Sequence, residues 1–165
     1  TELGPRQAAA QYENEIKLAF GRLQADDETG ALHDTGGWPV LDLVLLGMGD
    51  DGHTASLFPH SAALEAGDTL VAAHYVEKAG MMRITFTAPL INAADTVIFL
   101  VSGAGKAPML NRVLLGAITP NELPAQLIAP AGKLFWMADA DAAAQVAGRP
   151  GYPAGEFIYR RASNG

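Results

Sequence analysis

Apolar and polar positions recur along the chain with changing periods, and each change of period marks an element. After Pro5, which suits the first turn of a helix, Tyr12, Ile16, Ala19, Phe20 and Leu23 return at spacings of three and four. That stripe predicts an amphipathic helix, with Glu13, Glu15, Lys17 and Arg22 on its wet sides. Ala25 to Pro39 is acidic, glycine-rich and aperiodic, and reads as a surface loop. Leu41 to Leu46 is an almost unbroken apolar run between Gly and Pro, the pattern of a short strand covered on both faces. Thr69 to Glu77 and Met82 to Ala88 read as further strands. In the second, Arg83, Thr85 and Thr87 alternate with Ile84 and Phe86, the period of a sheet with two unlike faces.

Thr96 to Val101 is an apolar, β-branched strand. A glycine turn leads from it into a helix from about Lys106 to Leu115, with Met109, Leu110, Val113 and Leu114 turned inward. Leu134 to Met137 predicts a last strand, and Asp139 to Ala147 an alanine-rich helix. Strands alternating with helices predict α/β architecture on a mainly parallel sheet. Sites in such sheets lie beyond the carboxyl ends of the strands. No repeat, low-complexity tract or linker divides the chain, so residues 1–165 read as one α/β domain.

Composition narrows the classes. A chain of 165 residues, 49% hydrophobic and 18% charged, can bury a core. With 7% aromatic residues that core must be mostly Ala, Leu, Val and Ile. There is no cysteine, which excludes disulfides, thiolate catalysis and cysteine-ligated zinc and fits a reducing compartment. No run approaches the roughly 20 apolar residues that span a bilayer. The first residues lack the basic-then-apolar pattern of a signal peptide, so a cytoplasmic location is expected. A net charge of −7 argues against nucleic acid and anionic membranes as partners. A small anionic substrate remains compatible, because a pocket can be locally positive.

Two segments at predicted strand ends carry chemistry. The first is GMGDDGHTASLFP, from Gly47 to Pro59. Gly47, Gly49 and Gly52 allow backbone shapes that other residues resist and let main-chain N–H groups approach a ligand. His53 is suited to take a proton near neutral pH, and a carboxylate beside it can fix its tautomer. The same residues also suit an ordinary surface turn. The glycines match a dinucleotide fingerprint, but HTASLF before Pro59 is too short for a crossover helix, and Asp50 and Asp51 would repel a pyrophosphate. The second segment is SGAGK, Ser102 to Lys106, which opens a helix. Free N–H groups, the positive end of the helix and the Lys106 charge make a phosphate cradle; a plain strand-to-helix turn has the same sequence. It is not a P-loop, since Leu100 and Ala107 stand at two of its required positions. Arg83, mid-strand, reaches either an anion or an acidic neighbour. His33, His60 and His74 are scattered, and no metal-ligand spacing is present. Trp38 and Trp136 read as packing residues, and no Gly-x-Ser-x-Gly elbow supports a serine hydrolase.

The stretch LDLVLLGMGDDGHTASLFP closely resembles the 6-phosphogluconolactonase signature of the glucosamine-6-phosphate isomerase/6-phosphogluconolactonase family. The resemblance runs on through MRITFTAPLINAADTVIFLVSGAGKAPML and LPAQLIAPAGKLFWMADADAA, from about Thr1 to Ala147. It implies a three-layer, Rossmann-like, mainly parallel sheet with helices on both faces, as in glucosamine-6-phosphate deaminases and ribose-5-phosphate isomerases. It implies hydrolysis of 6-phospho-D-glucono-1,5-lactone to 6-phosphogluconate in the pentose phosphate pathway, with no cofactor and no metal. By the same resemblance His53 is the catalytic histidine and Asp51 its carboxylate partner. Substrate is expected to meet Lys106, Arg83, Gly47, Gly49, Gly52, Thr54, Gly103 and Gly105, with N–H groups of the first glycine turn facing the oxyanion. Family members carry a further N-terminal α/β segment with a glycine- and serine-rich phosphate loop and an Arg-bearing motif. Neither is in this chain, which is therefore expected to be N-terminally truncated. Its exposed sheet edges are expected to associate with the missing segment or with another chain. Two other readings stay open. A deaminase-isomerase on this fold has a glutamate just before the proline, where Phe58 stands. A non-catalytic sugar-phosphate-binding module is the third.

Overall fold

The computed structural model describes residues 3–26, 38–151 and 157–160. The elements follow in the order α1 (Pro5–Asp26), β1 (Val44–Leu46), β2 (Val71–Val76), β3 (Met81–Phe86), α2 (Ala88–Asn92), β4 (Thr96–Val101), α3 (Ala107–Leu115), β5 (Lys133–Ala138), α4 (Ala140–Ala143) and β6 (Phe157–Arg160). The main sheet has the order β1-β4-β5-β6; its first three strands are parallel and β6 runs antiparallel to β5. The expected mainly parallel α/β sheet is present, and β6 is a strand the hydrophobic pattern did not mark.

The two middle strands depart from expectation. β2 and β3 form a separate antiparallel ribbon, paired from Val71↔Phe86 to Val76↔Met81. They are joined by a single 3-10 turn, Glu77–Ala79, closed by Gly80 in the left-handed region at φ 63°. Parallel neighbours need a crossover of a dozen or more residues, so so short a link permits only a hairpin. Within β3 it is Thr85 that is buried, while Ile84 is exposed.

Alternate residues of the main sheet build one core. Val44, Leu46, Val97, Phe99, Val101, Leu134, Trp136 and Ala138 pack with Met109, Leu110 and Val113 of α3 and Ala142 and Ala143 of α4. Phe99 and Trp136, paired across β4 and β5, stack with ring centres 3.9 Å apart. On the other face Leu43, Leu45 and Leu100 are each at least half exposed. Within the Leu41–Leu46 run the strand is three residues long, and among the described residues Val44 and Leu46 are buried while Leu45 is exposed, where cover on both faces had been expected. Helices α3 and α4 pack on the core face of the sheet. An apolar run reports that a surface is sticky, not that this chain supplies its cover.

α1 lies on the ribbon rather than on the sheet. Ala9 is buried and Ile16 half-buried against Leu70, Val71 and Leu90. Tyr12 is half exposed and Ala19 exposed, so the buried stripe is rotated from the expected one. Glu13 turns inward, where its carboxylate accepts hydrogen bonds from the N–H groups of Leu70 (3.0 Å) and Val71 (3.3 Å). Trp38 packs at the edge of this cluster. The expected loop from Ala25 to Pro39, His33 with it, lies almost entirely outside the described residues.

Candidate active site

Parallel pairing sets the site. Leu46 is in register with Phe99, and Val101 with Ala138, so β1, β4 and β5 end at the same edge of the sheet. The loops that leave them, from Gly47, Ser102 and Asp139, therefore meet beyond the strand ends, where ligands bind in sheets of this kind.

The first loop folds back on itself. The Gly49 N–H donates to the carbonyl of His53 (2.8 Å), and the Gly52 N–H to that of Gly49 (3.1 Å). The buried Thr54 hydroxyl donates to the Gly47 carbonyl (2.8 Å). These commitments revise the expected roles. The Gly49 and Gly52 amides are spent inside the turn and do not face an oxyanion, and Thr54 is a brace of the loop rather than a ligand contact. Gly52 sits at φ 79° with Leu123 where a Cβ would stand, and a Cβ on Gly49 would overlap the His53 imidazole. Both glycines serve the shape of the site. A Cβ at Gly47, Gly103 or Gly105 would meet nothing within 4 Å.

That shape brings His53 and Asp51 together. Asp51 Oδ1 lies 2.5 Å from Nδ1 of His53 and accepts the His53 backbone N–H at 3.2 Å. Burial pushes the Asp51 carboxyl up, but hydrogen bonds from Lys78 and His53 outweigh it and hold the group well below the usual carboxylate range. An ionised carboxylate only accepts, so Nδ1 is the donor to Asp51, and in the neutral imidazole the lone pair is then on Nε2. The imidazole stacks on Phe58, ring centres 4.2 Å apart, which fixes its plane.

Two lysines converge on the adjacent carboxylates. Lys106, at the start of α3, donates to Asp50 Oδ1 at 2.5 Å. Its ammonium holds the Asp50 carboxyl below its ordinary value. Lys78, from the turn of the β2–β3 ribbon, donates to Asp51 Oδ2 at 2.7 Å. The imidazole and the Lys106 ammonium thus open on one loop, each against one of two neighbouring aspartates. The expected phosphate cradle is altered: the Gly103 N–H is taken by the Asp139 carboxylate at 2.9 and 3.1 Å, and Asp139 also caps α4 through the Ala142 N–H. A fixed carboxylate there weakens the cradle and leaves anion attraction to Lys106.

Arg83 is exposed on β3, paired across the ribbon with His74 and on the same face as Thr85. Those two neighbours clamp the site loop. The Ser56 N–H donates to Thr85 Oγ1 (3.1 Å), and Nε2 of His74 donates to the Ser56 carbonyl (2.7 Å). Arg83 therefore stands on the ribbon face that meets this loop. On the opposite flank the Ala125 N–H binds the Gly52 carbonyl (2.9 Å) and the His60 N–H binds the Asn121 carbonyl (3.0 Å). Lys78, His74 and Thr85 were not singled out from the sequence; the alternation in β3 pointed toward Thr85, whereas nothing local marks Lys78. A cavity of about 580 Å³ reaches the same loop through Gly47, Ala55 and Ser56, but His53 and Lys106 do not line it. Its walls are mostly apolar, including Leu43, Leu45, Ile84 and Phe86, so it does not suit a phosphosugar. Among the described residues no cluster of three or more His, Asp or Glu is placed to hold a metal ion. No described helix is long and apolar enough to cross a membrane.

A parallel sheet whose strand ends present a histidine–aspartate pair beside a lysine defines an α/β protein with a polar site of the acid–base kind. Residues 1–136 match the family described as glucosamine-6-phosphate isomerases/6-phosphogluconolactonase, and the chain belongs to that family. It is 45% identical over 138 residues to a 6-phosphogluconolactonase of Synechocystis sp., covering 84% of this chain and 52% of that protein. It is 41% identical over 144 residues to the Homo sapiens 6-phosphogluconolactonase, covering 86% and 50%. The solved 6-phosphogluconolactonase from Trypanosoma cruzi superposes with a TM-score of 0.69 at 27% identity, over 88% of this chain and 55% of that one. The chain spans about half the length of the curated relatives it matches.

Proposed function

We propose that this chain carries the catalytic loop of a 6-phosphogluconolactonase, which hydrolyses 6-phospho-D-glucono-1,5-lactone to 6-phosphogluconate in the pentose phosphate pathway, in the cytoplasm. The observation that carries the reading is the 2.5 Å hydrogen bond between Asp51 Oδ1 and Nδ1 of His53. In the neutral imidazole this leaves Nε2 as the proton acceptor, while Lys106 is held on the neighbouring Asp50. Water held at Nε2 gives up a proton as its oxygen attacks C1 of the lactone. Asp51 stabilises the imidazolium that forms. Collapse of the tetrahedral intermediate breaks the bond from C1 to the ring oxygen, and the imidazolium returns the proton to that oxygen as the C5 hydroxyl. Lys106 exchanges Asp50 for the substrate phosphate, and Arg83 supplies a second positive charge from the ribbon. Gly103 and Gly105 give the phosphate backbone room beside Lys106, and Gly47 does so beside His53.

Phe58 separates this reading from amino-sugar phosphate deamination. It fills the position before Pro59 with an aromatic face against the imidazole, and so supplies no acid there. The test is to assay the lactone and glucosamine 6-phosphate side by side, on this chain and on a version extended to the length of its relatives, with spontaneous lactone hydrolysis subtracted. Turnover of the lactone and not of the amino sugar is expected. Deamination without lactone hydrolysis, or tight phosphosugar binding with no turnover in the extended version, contradicts the reading.

A further inference from the structure

Asp51 has two carboxylate oxygens, and each has its own donor. Oδ1 takes the imidazole and backbone N–H groups of His53, while Oδ2 takes the Lys78 ammonium. Lys78 comes from 27 residues further along, on the Glu77–Ala79 turn that joins β2 to β3. That turn belongs to the same ribbon that grips Ser56 through His74 and Thr85. The ribbon therefore holds the site loop at two places, and one of them is the carboxylate that orients the imidazole. Lys78 is itself 67% exposed, and an exposed ion pair adds little to folding. Its effect falls on the partner's orientation and charge instead.

We propose that Lys78 is a positioning residue of the His53 site, fixing Asp51 Oδ2 so that Oδ1 stays aimed at Nδ1. For its catalytic consequence the proposal rests on the lactonase reading above; for its geometry it does not. The titratable and charged groups around Asp51 are His53, Lys78 and Asp50, the last already engaged by Lys106. Without Lys78, Asp51 keeps its contact to His53 but loses the cation that restrains its rotation and opposes its protonation.

The experiment compares Lys78→Met and Lys78→Arg with the unsubstituted protein by two readouts. The first is steady-state kinetics on whichever form hydrolyses the lactone. Lys78→Met is expected to lower kcat about two- to fivefold, the size of an exposed pair's contribution, with KM unchanged, and Lys78→Arg to restore it. The second is titration of the Asp51 side-chain carboxyl followed by carbon NMR, which needs no turnover. In Lys78→Met the carboxyl takes up its proton at higher pH than in the unsubstituted chain, and in Lys78→Arg it does not. A raised KM at unchanged kcat makes Lys78 a substrate contact and overturns the proposal. An Asp51 titration indifferent to Lys78 overturns it as well. If no form hydrolyses the lactone, the functional reading fails on its own, and the Asp51 titration alone then decides for or against Lys78.

Discussion

At the scale of single residues, the site depends on what is missing from Gly49 as much as on what His53 brings. A methyl group on Gly49 would occupy the space of the imidazole. The obstructed group is a side chain that can rotate away, so Gly49→Ala is expected to leave the melting temperature within a few degrees of the parent. It should nevertheless abolish the Asp51 contact and most activity, which calorimetry and the lactone assay check together. Gly52→Ala behaves differently. Its φ of 79° is left-handed and Leu123 lies against it, so the variant loses about 1–2 kcal/mol from backbone strain alone, measured by denaturant unfolding. That a histidine and two aspartates stand at a sheet end was legible in GMGDDGHTASLFP, because they follow an apolar strand through glycines; that Asp51 is the partner came from the family resemblance. Lys78 was not legible. Its partner is set by where a distant ribbon lands, and neither spacing nor period encodes that landing.

At the scale of elements, the clearest lesson is Glu13. The helical stripe put it on the wet side, because a carboxylate counts as polar in any periodicity. In the fold it caps the start of β2 and pairs with Lys17. Burial pushes its carboxyl up, yet the Lys17 and backbone hydrogen bonds prevail and hold it below the ordinary glutamate value. Its contribution to stability is therefore fully present above the unfolded pKa and fades as pH falls through the lower folded one. Glu13→Ala is expected to cost about 1–2 kcal/mol near neutral pH. The gap to the parent should close in acid, as seen by urea unfolding at a series of pH values. The ribbon was legible in part: both strands showed, and the few residues between them already forbade a parallel crossover. The α3 helix and its inward Met109, Leu110 and Val113 followed directly from the 3.6-residue period.

At the scale of the whole molecule, the parallel sheet was legible and the cover of its second face was not. Leu45 is 58% exposed and Leu100 50%, on the face opposite the core. Contiguous apolar surface of this kind drives association. The chain in isolation is expected to bind a hydrophobic dye and to self-associate with rising concentration. Leu45→Lys with Leu100→Lys should reduce both without lowering stability, and a dye-silent monomer at all concentrations would contradict this. The central claim, however, is about the proton acceptor at the sheet's edge. The most direct measurement is kcat/KM of His53→Ala for the lactone, in the form that turns it over, with circular dichroism to show the fold intact. A fall of roughly 10²–10⁴-fold is predicted, the span of a positioned general base. A variant that hydrolyses the lactone at the parent rate contradicts the account.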